Sequence, residues 1–185
     1  MEKKIKDYLL GLARATIAEA LSIEGQDFPK KPAAEAVALS EKRGVFVTLE
    51  IFGQLRGCIG NISPVYPLEE AVRRNALNAA FDDPRFMPLA GEEFKDVEIE
   101  ISVLTVPKKL KYGSVEELLK KLQPLKDGVI LKKGYHEATY LPQVWEDLSD
   151  KEAFLSSLCT KAGMRSDGWR GSGVEVFTYQ AEVFK

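Results

Sequence analysis

The sequence predicts an α+β fold, an antiparallel β-sheet with flanking helices. Three observations lead there: runs that alternate apolar and polar residues follow one another at hairpin spacing, amphipathic helical stretches stand apart from them, and no regular strand-helix-strand crossover recurs. At 185 residues, a chain folding as one unit buries about 70% of its unfolded surface. One domain over residues 1–185 is therefore expected, with two subdomains or lobes and a cleft at the motif described below as the finer option.

From residue 3 to about 23, Ile5, Leu9, Ala13, Ile17 and Leu21 recur every fourth position, and Tyr8 and Leu12 widen the stripe into the buried face of a helix that Gly25 should end. Pro29 and Pro32 make the next stretch a loop, because neither has an amide hydrogen to donate. One or two turns around Glu35 to Leu39 lead to a strand over residues 45–52. Gly53-Gln54 then reads as a two-residue loop with glycine first, and residues 55–60 return as the second strand. In that register Leu49 faces Cys58, Ile51 faces Arg56 and Glu50 faces Gly57, so Cys58 and Arg56 share a face with Leu49 and Ile51.

Residues 68–81 read as a helix with Glu69 and Glu70 in its first turn, where they favour the dipole, and it must stop before Pro84. Its alanines, Ala71, Ala76, Ala79 and Ala80, allow close approach to a sheet. Residues 94–106 form the longest strand, in which Val97, Ile99, Ile101 and Val103 alternate with Glu98, Glu100 and Ser102. Ser114 to Glu117 is a capping box for a helix that Pro124 closes. A second hairpin follows, turning at Lys133-Gly134, and Ser149 to Glu152 opens a last helix that ends at Gly163. A final strand runs over residues 174–184.

Composition removes several functional classes. No apolar run approaches the roughly 20 residues of a membrane span, and Arg14 and Glu19 interrupt what a secretory leader would need, so a cytoplasmic protein is expected. Two cysteines and the single His136 make a poor ligand set, and neither a metal nor a cofactor is expected. With 26 basic and 28 acidic residues the chain lacks the charge footprint of a dedicated nucleic-acid binder. A local lysine-rich stretch, residues 108–133, keeps nucleic-acid binding as a minor alternative, against the favoured reading of a solvated surface.

The chemistry-bearing stretch is Leu55-Arg56-Gly57-Cys58-Ile59-Gly60, which sets a cation, a thiol and two glycines inside an apolar strand. A guanidinium near Cys58 could generate a nucleophilic thiolate. In the predicted register the thiol instead faces Leu49, and a buried, inert packing cysteine is favoured. A buried Arg56 demands a carboxylate, with Glu100 ahead of Glu98 and Glu50 demoted, unless it holds a small anionic ligand. Gly57 and Gly60 mark a bulge or a close backbone approach. Asp83 and Arg85 read either as a local turn or, with Asp82, as a carboxylate pair on the rim of a cleft.

Four blocks resemble the AMMECR domain family, in order and over nearly the whole chain: Leu55 to Gly60; Asn78-Ala79-Ala80-Phe81-Asp82-Asp83-Pro84-Arg85-Phe86; Glu98 to Thr105; and Leu141-Pro142-Gln143-Val144-Trp145 with Phe154-Leu155 and Lys161-Ala162-Gly163. The resemblance implies no established reaction. It implies a shared pathway with a Memo-like protein and a radical-SAM protein, and hence a ligand-binding or interaction component. The alternative is an enzyme that uses Cys58 and Arg56. The candidate binding residues are Arg56, Gly57, Cys58, Gly60, Asp83, Arg85 and Glu100.

Overall fold

A computed structural model describes residues 1–185 and shows an α+β protein with two four-stranded sheets, each in its own compact unit. The first unit comprises residues 1–104 with 182–185, and the second residues 105–181.

In the first unit, α1 (Lys3–Ala20) and α3 (Leu68–Phe81) pack on one face of a sheet made from β1 (Val45–Ile51), β2 (Gln54–Asn61), β3 (Val97–Leu104) and β8 (Ala181–Phe184), in the order β2-β1-β3-β8. The fourfold stripe of α1, with Leu9, Leu12, Ala13 and Ile17, is buried against Val45, Val47, Leu49, Ile99 and Ile101. Each leucine, isoleucine or valine among them contributes about 1.5–3 kcal/mol when fully buried. The small residues of α3 let its backbone settle on β2, and Asn75 anchors it by donating to the Val45 carbonyl at 2.9 Å. Between α1 and β1, a 3-10 turn (Ala33–Glu35) leads into the short helix α2 (Ala36–Ser40).

Several expectations shift by a residue or two. Helix α1 ends before Gly25, where Ser22 takes the left-handed conformation (φ 56°) and the Ile23 amide bonds back to Ala18. The first hairpin turns at Phe52-Gly53, not Gly53-Gln54: both residues have positive φ, 52° and 73°, and Ile51 pairs with Gln54. This is the turn geometry whose twist matches the strands. A bulge follows, since Glu50 pairs with Leu55 and Leu49 with Gly57, leaving Arg56 as the extra residue. The pairing of Cys58 therefore moves from Leu49 to Thr48. The long strand does lie beside the hairpin, with β3 antiparallel to β1, and a 3-10 turn (Phe94–Asp96) precedes it.

In the second unit β4 (Lys108–Lys109), β5 (Gly128–Lys133), β6 (His136–Tyr140) and β7 (Glu175–Tyr179) form a sheet in the order β4-β7-β5-β6, beside α4 (Val115–Lys121) and α5 (Lys151–Lys161). Val129, Leu131 and Val176 pack against Leu118, Phe154, Leu155 and Leu158. Trp145 stacks on Phe154 with ring centroids 3.6 Å apart. The second hairpin turns at Gly134-Tyr135 rather than Lys133-Gly134, because Lys133 pairs with His136. Asp150, not Ser149, caps α5 by accepting from the Ala153 amide at 2.8 Å. Ser114 caps α4 as expected. The single strand expected over residues 174–184 is two, interrupted at Gln180: β7 joins the second sheet and β8 the first.

Candidate functional site

Strand β2 lies at an edge of its sheet, and the motif is built around that edge. The Cys58 amide donates to Asp83 Oδ2 at 2.9 Å, and the Cys58 carbonyl accepts from Arg85 Nη2 at 3.2 Å. Arg85 is held in turn by both Asp83 oxygens, at 2.9 and 2.7 Å. The Asp83-Arg85 pair thus stands in for a neighbouring strand, supplying one acceptor and one donor where an open edge would leave both groups bare. The side-chain hydrogen bonds from Arg85, working against the cost of burial and aided by the Cys58 and Arg85 amides, hold the Asp83 carboxyl well below the usual carboxylate range. The Arg85 amide also donates to Asp83 Oδ1 at 3.1 Å, which closes a local turn; Asp82 is exposed and does not join the pair.

The bulge directs Arg56 away from Glu100, which was its expected partner. Arg56 instead meets Glu93, with Nε to Oε1 and Nη2 to Oε2 both at 2.9 Å, while Nη1 donates to the Met87 carbonyl at 3.0 Å and Nη2 also reaches Pro88 at 3.4 Å. Glu93 additionally accepts the Ala90 amide at 2.8 Å, and the Arg56 hydrogen bonds followed by that amide lower its carboxyl. Every guanidinium nitrogen is engaged, and the side chain is 16% exposed. Phe86 lies under both Arg56 and Arg85, whose guanidinium carbons are 5.9 and 5.5 Å from its ring centre. Arg56 therefore clamps the segment 86–93 onto the hairpin. Glu100 pairs across β1 with Thr48 and approaches Lys185 at 3.6 Å; Glu50 binds Lys185 at 2.7 Å, and Glu98 is exposed.

Gly57 faces α3, where a Cβ would overlap the Ala79 carbonyl oxygen; Gly60 faces Phe46, whose ring fills the space a side chain would take. The expected close approach is present at both glycines. Cys58 is half-buried rather than buried, and it accepts a hydrogen bond from the Thr48 hydroxyl at 3.3 Å. Its apolar neighbour Leu49 belongs to the opposite, core-facing side of the sheet. Cys159 is a free, fully buried thiol in the second unit, and burial pushes its pKa up.

The loop end of the hairpin is apolar and open. Phe52 is 84% exposed, Met87 80% and Leu55 43%, and Ile51, Phe52, Gln54, Leu55, Arg56 and Glu93 line a hollow of about 290 Å³. Sequence reasoning overlooked this feature, because Phe52 reads as the last residue of a strand and not as part of the turn. His136 is exposed, with Nδ1 2.9 Å from the Ala162 carbonyl. In the lysine-rich stretch, Lys109, Lys121 and Lys132 are paired with Glu175, Glu117 and Glu137. No three His, Cys, Asp or Glu side chains converge in a way that could hold a metal ion, and no helix is long and apolar enough to cross a membrane.

The clamp, the edge cap and strand β3 draw on three of the four blocks that carry the family resemblance; the fourth supplies Trp145 and Phe154 to the second core. Relatives are similar to this chain over most of its length. A protein of Thermofilum pendens is 42% identical over 95% of this chain and 87% of its own length, and one of Methanopyrus kandleri is 40% identical over 97% and 87%. The crystal structure of an uncharacterised protein from Pyrococcus horikoshii, 38% identical, superposes with a TM-score of 0.84 over 99% of this chain and 92% of that one. The AMMECR1 family model matches residues 10–184, and the chain belongs to the AMMECR1 family.

Proposed function

We propose that this protein is the binding component of a multi-protein pathway, and that it docks a protein partner through the tip of the β1-β2 hairpin and the adjoining segment 86–93. The observation that carries this reading is Phe52. A bulky aromatic residue in the left-handed region costs about 1–2 kcal/mol, and at 84% exposure the ring recovers almost none of that by burial within this chain. Strain held at an exposed aromatic points to a contact made elsewhere. Arg56 and Glu93 stiffen the base of the same surface, which lowers the entropic cost of docking. The partners that the family resemblance implies, a Memo-like protein and a radical-SAM protein, are the ones to test. A small anionic ligand at Arg56 is less well supported, since it would have to displace Glu93.

The test is titration calorimetry of this chain against each purified partner. Phe52→Asp and Met87→Asp should each weaken binding about tenfold or more, as for an aromatic anchor at an interface. Tyr135→Asp, which alters the exposed aromatic of the other hairpin, should leave it unchanged. Equal affinity for the Phe52→Asp and parent proteins would end the proposal.

One observation favours a second reading, an enzyme that uses Cys58. The corrected register gives the sulfur a hydroxyl neighbour and partial access to solvent in place of an apolar wall. Rapid iodoacetamide labelling of the native protein at neutral pH, slowed in Thr48→Val, would support it. Labelling no faster than that of a free thiol, with no effect of the substitution, would dismiss it.

A further inference from the structure

The second unit contains a polar cavity that neither proposed activity uses. It encloses about 220 Å³ and lies wholly within residues 105–181, lined by Thr105, Val106, Lys108, Asp127, Thr178, Tyr179 and Gln180. Two features set it apart from a surface dimple. Asp127 is only 7% exposed and lines the cavity, yet just one of its carboxylate oxygens is used inside the protein: Oδ2 accepts the Gln123 amide at 2.9 Å, while Oδ1 takes no hydrogen bond from the protein and keeps some access to solvent. Lys108 stands on the same cavity, opposite Thr178 in the β4-β7 pairing, and forms no ion pair with Asp127 or any other acid.

A carboxylate so enclosed is costly unless its lone pairs are satisfied. The fold also holds it rigidly. The Asp127 carbonyl accepts the Trp145 indole N–H at 2.7 Å, and the absent side chain of Gly128 makes room for the Tyr179 ring. The Tyr179 hydroxyl is in turn fixed by Thr139 and the Tyr140 carbonyl. On the opposite wall Thr105 and Gln180 are tied together through two backbone amides, at 2.8 and 2.9 Å. An acidic and a basic residue therefore line one small space from different elements, and they do not pair with each other.

We propose that this cavity binds a small zwitterion of the free amino-acid class, with its ammonium on Asp127 and its carboxylate on Lys108. The volume is below the roughly 300–1,000 Å³ of pockets for drug-sized ligands, which suits a metabolite of this size. The hydroxyl and amide groups of Thr178 and Gln180 would add hydrogen bonds to a polar side chain. The site is independent of the hairpin tip, so its failure would leave the docking proposal intact, and the reverse.

The experiment is a ¹H-¹⁵N titration of the full chain with the twenty common amino acids. Each hit is then compared with its deaminated acid and its decarboxylated amine. Saturable shifts should centre on Asp127, Gly128, Lys108 and Thr178, and either single-charge analogue should bind at least about tenfold more weakly. Asp127→Asn retains an acceptor for the Gln123 amide while removing the charge, and should weaken binding by a similar factor with the remaining spectrum unchanged. Lys108→Met should do the same. No saturable shift with any amino acid at about 10 mM, weaker than any useful affinity, overturns the proposal. So does undiminished binding to a folded Asp127→Asn protein, or equal binding of the deaminated acid.

Discussion

The two hairpins contain the same ingredients, an aromatic residue and a glycine in a two-residue turn, and use them in opposite order. In the second, Gly134 takes the left-handed position (φ 58°) and Tyr135 follows it; β5 and β6 then pair without interruption from Lys133↔His136 to Val129↔Tyr140. In the first, Phe52 precedes Gly53, both residues are left-handed, and the ladder is broken by a bulge at Arg56. The regular hairpin has a glycine where the backbone needs one. The irregular one accepts strain and an unpaired residue, and in return it turns Arg56 onto Glu93 and exposes Phe52. Local rules are broken in the hairpin that carries the family motif and obeyed in the one that does not. Such a contrast is expected when one element is shaped for binding and the other for stability.

The largest expected effect tests how tightly the irregular hairpin is seated. Gly57→Ala would drive a methyl into the Ala79 carbonyl, a backbone atom that cannot swing aside, and should cost about 3 kcal/mol by urea denaturation. Gly134→Ala, where only the positive φ is at issue and nothing lies within 4 Å, should cost about 1 kcal/mol. Equal costs would mean that the close approach of α3 is not a constraint.

Next is the clamp. Arg56→Ala should cost about 2 kcal/mol, since it removes charged hydrogen bonds to Glu93 and two carbonyl contacts from a largely buried side chain. Arg56→Lys should recover less than half, because an ammonium cannot span both carboxylate oxygens. In the second hairpin the exposed Lys132-Glu137 pair should yield no more than about 0.5 kcal/mol on Lys132→Ala. Proteolysis between residues 86 and 93 would report release of the segment directly.

Acid should separate the two hairpins as well. The native Asp83 carboxyl is depressed, so the unfolded chain binds a proton more readily as pH falls. Asp83 therefore contributes stability that is fully present above the unfolded value near 4 and is lost on acidification toward its depressed native value. Hydrogen-exchange protection at the Cys58 amide, which Asp83 accepts, should fall between about pH 5 and pH 3 while protection in β5 is retained. Asp83→Asn should be less stable at pH 7 and lack that part of the acid loss.

How far the sequence reaches follows from the same contrast. The helices are legible because period and caps agree: the fourfold stripe of α1, Ser114 before α4, and the glycine after α5 each act locally. The pairing of β3 with β1 also follows from pattern, as two apolar alternating segments that need neighbours. The register of the first hairpin does not. Propensity assigns the left-handed position to Gly53 and keeps Phe52 in the strand, whereas both residues are left-handed. Moving the turn back by one residue shifts the pairing by two and leaves every face unchanged; the bulge at Arg56 takes one residue back, and that single step turns Cys58 onto the other face. Glu93 is hidden for another reason. It lies in the aperiodic stretch between α3 and β3, where no repeat reveals which way a side chain points, whereas Glu100 is conspicuous because it alternates. The break at Gln180 carries no glycine or proline, so the division of the last strand between two sheets leaves no local trace.

The smallest effect is the most discriminating. Phe52→Asn places at the left-handed position a residue that tolerates it, and should raise stability by about 0.5–1 kcal/mol, since an exposed ring has little packing to lose. Tyr135→Asn, with an equally exposed ring but no left-handed strain, should change stability by less than about 0.5 kcal/mol. The pair of substitutions thus isolates strain from exposure. If Phe52→Asn is stabilising and also loses the partner, the ring is retained at a cost to the isolated fold because it is needed in the complex. If it is destabilising, Phe52 packs against the hairpin more than its exposure indicates, and the argument that its conformation serves a partner no longer stands.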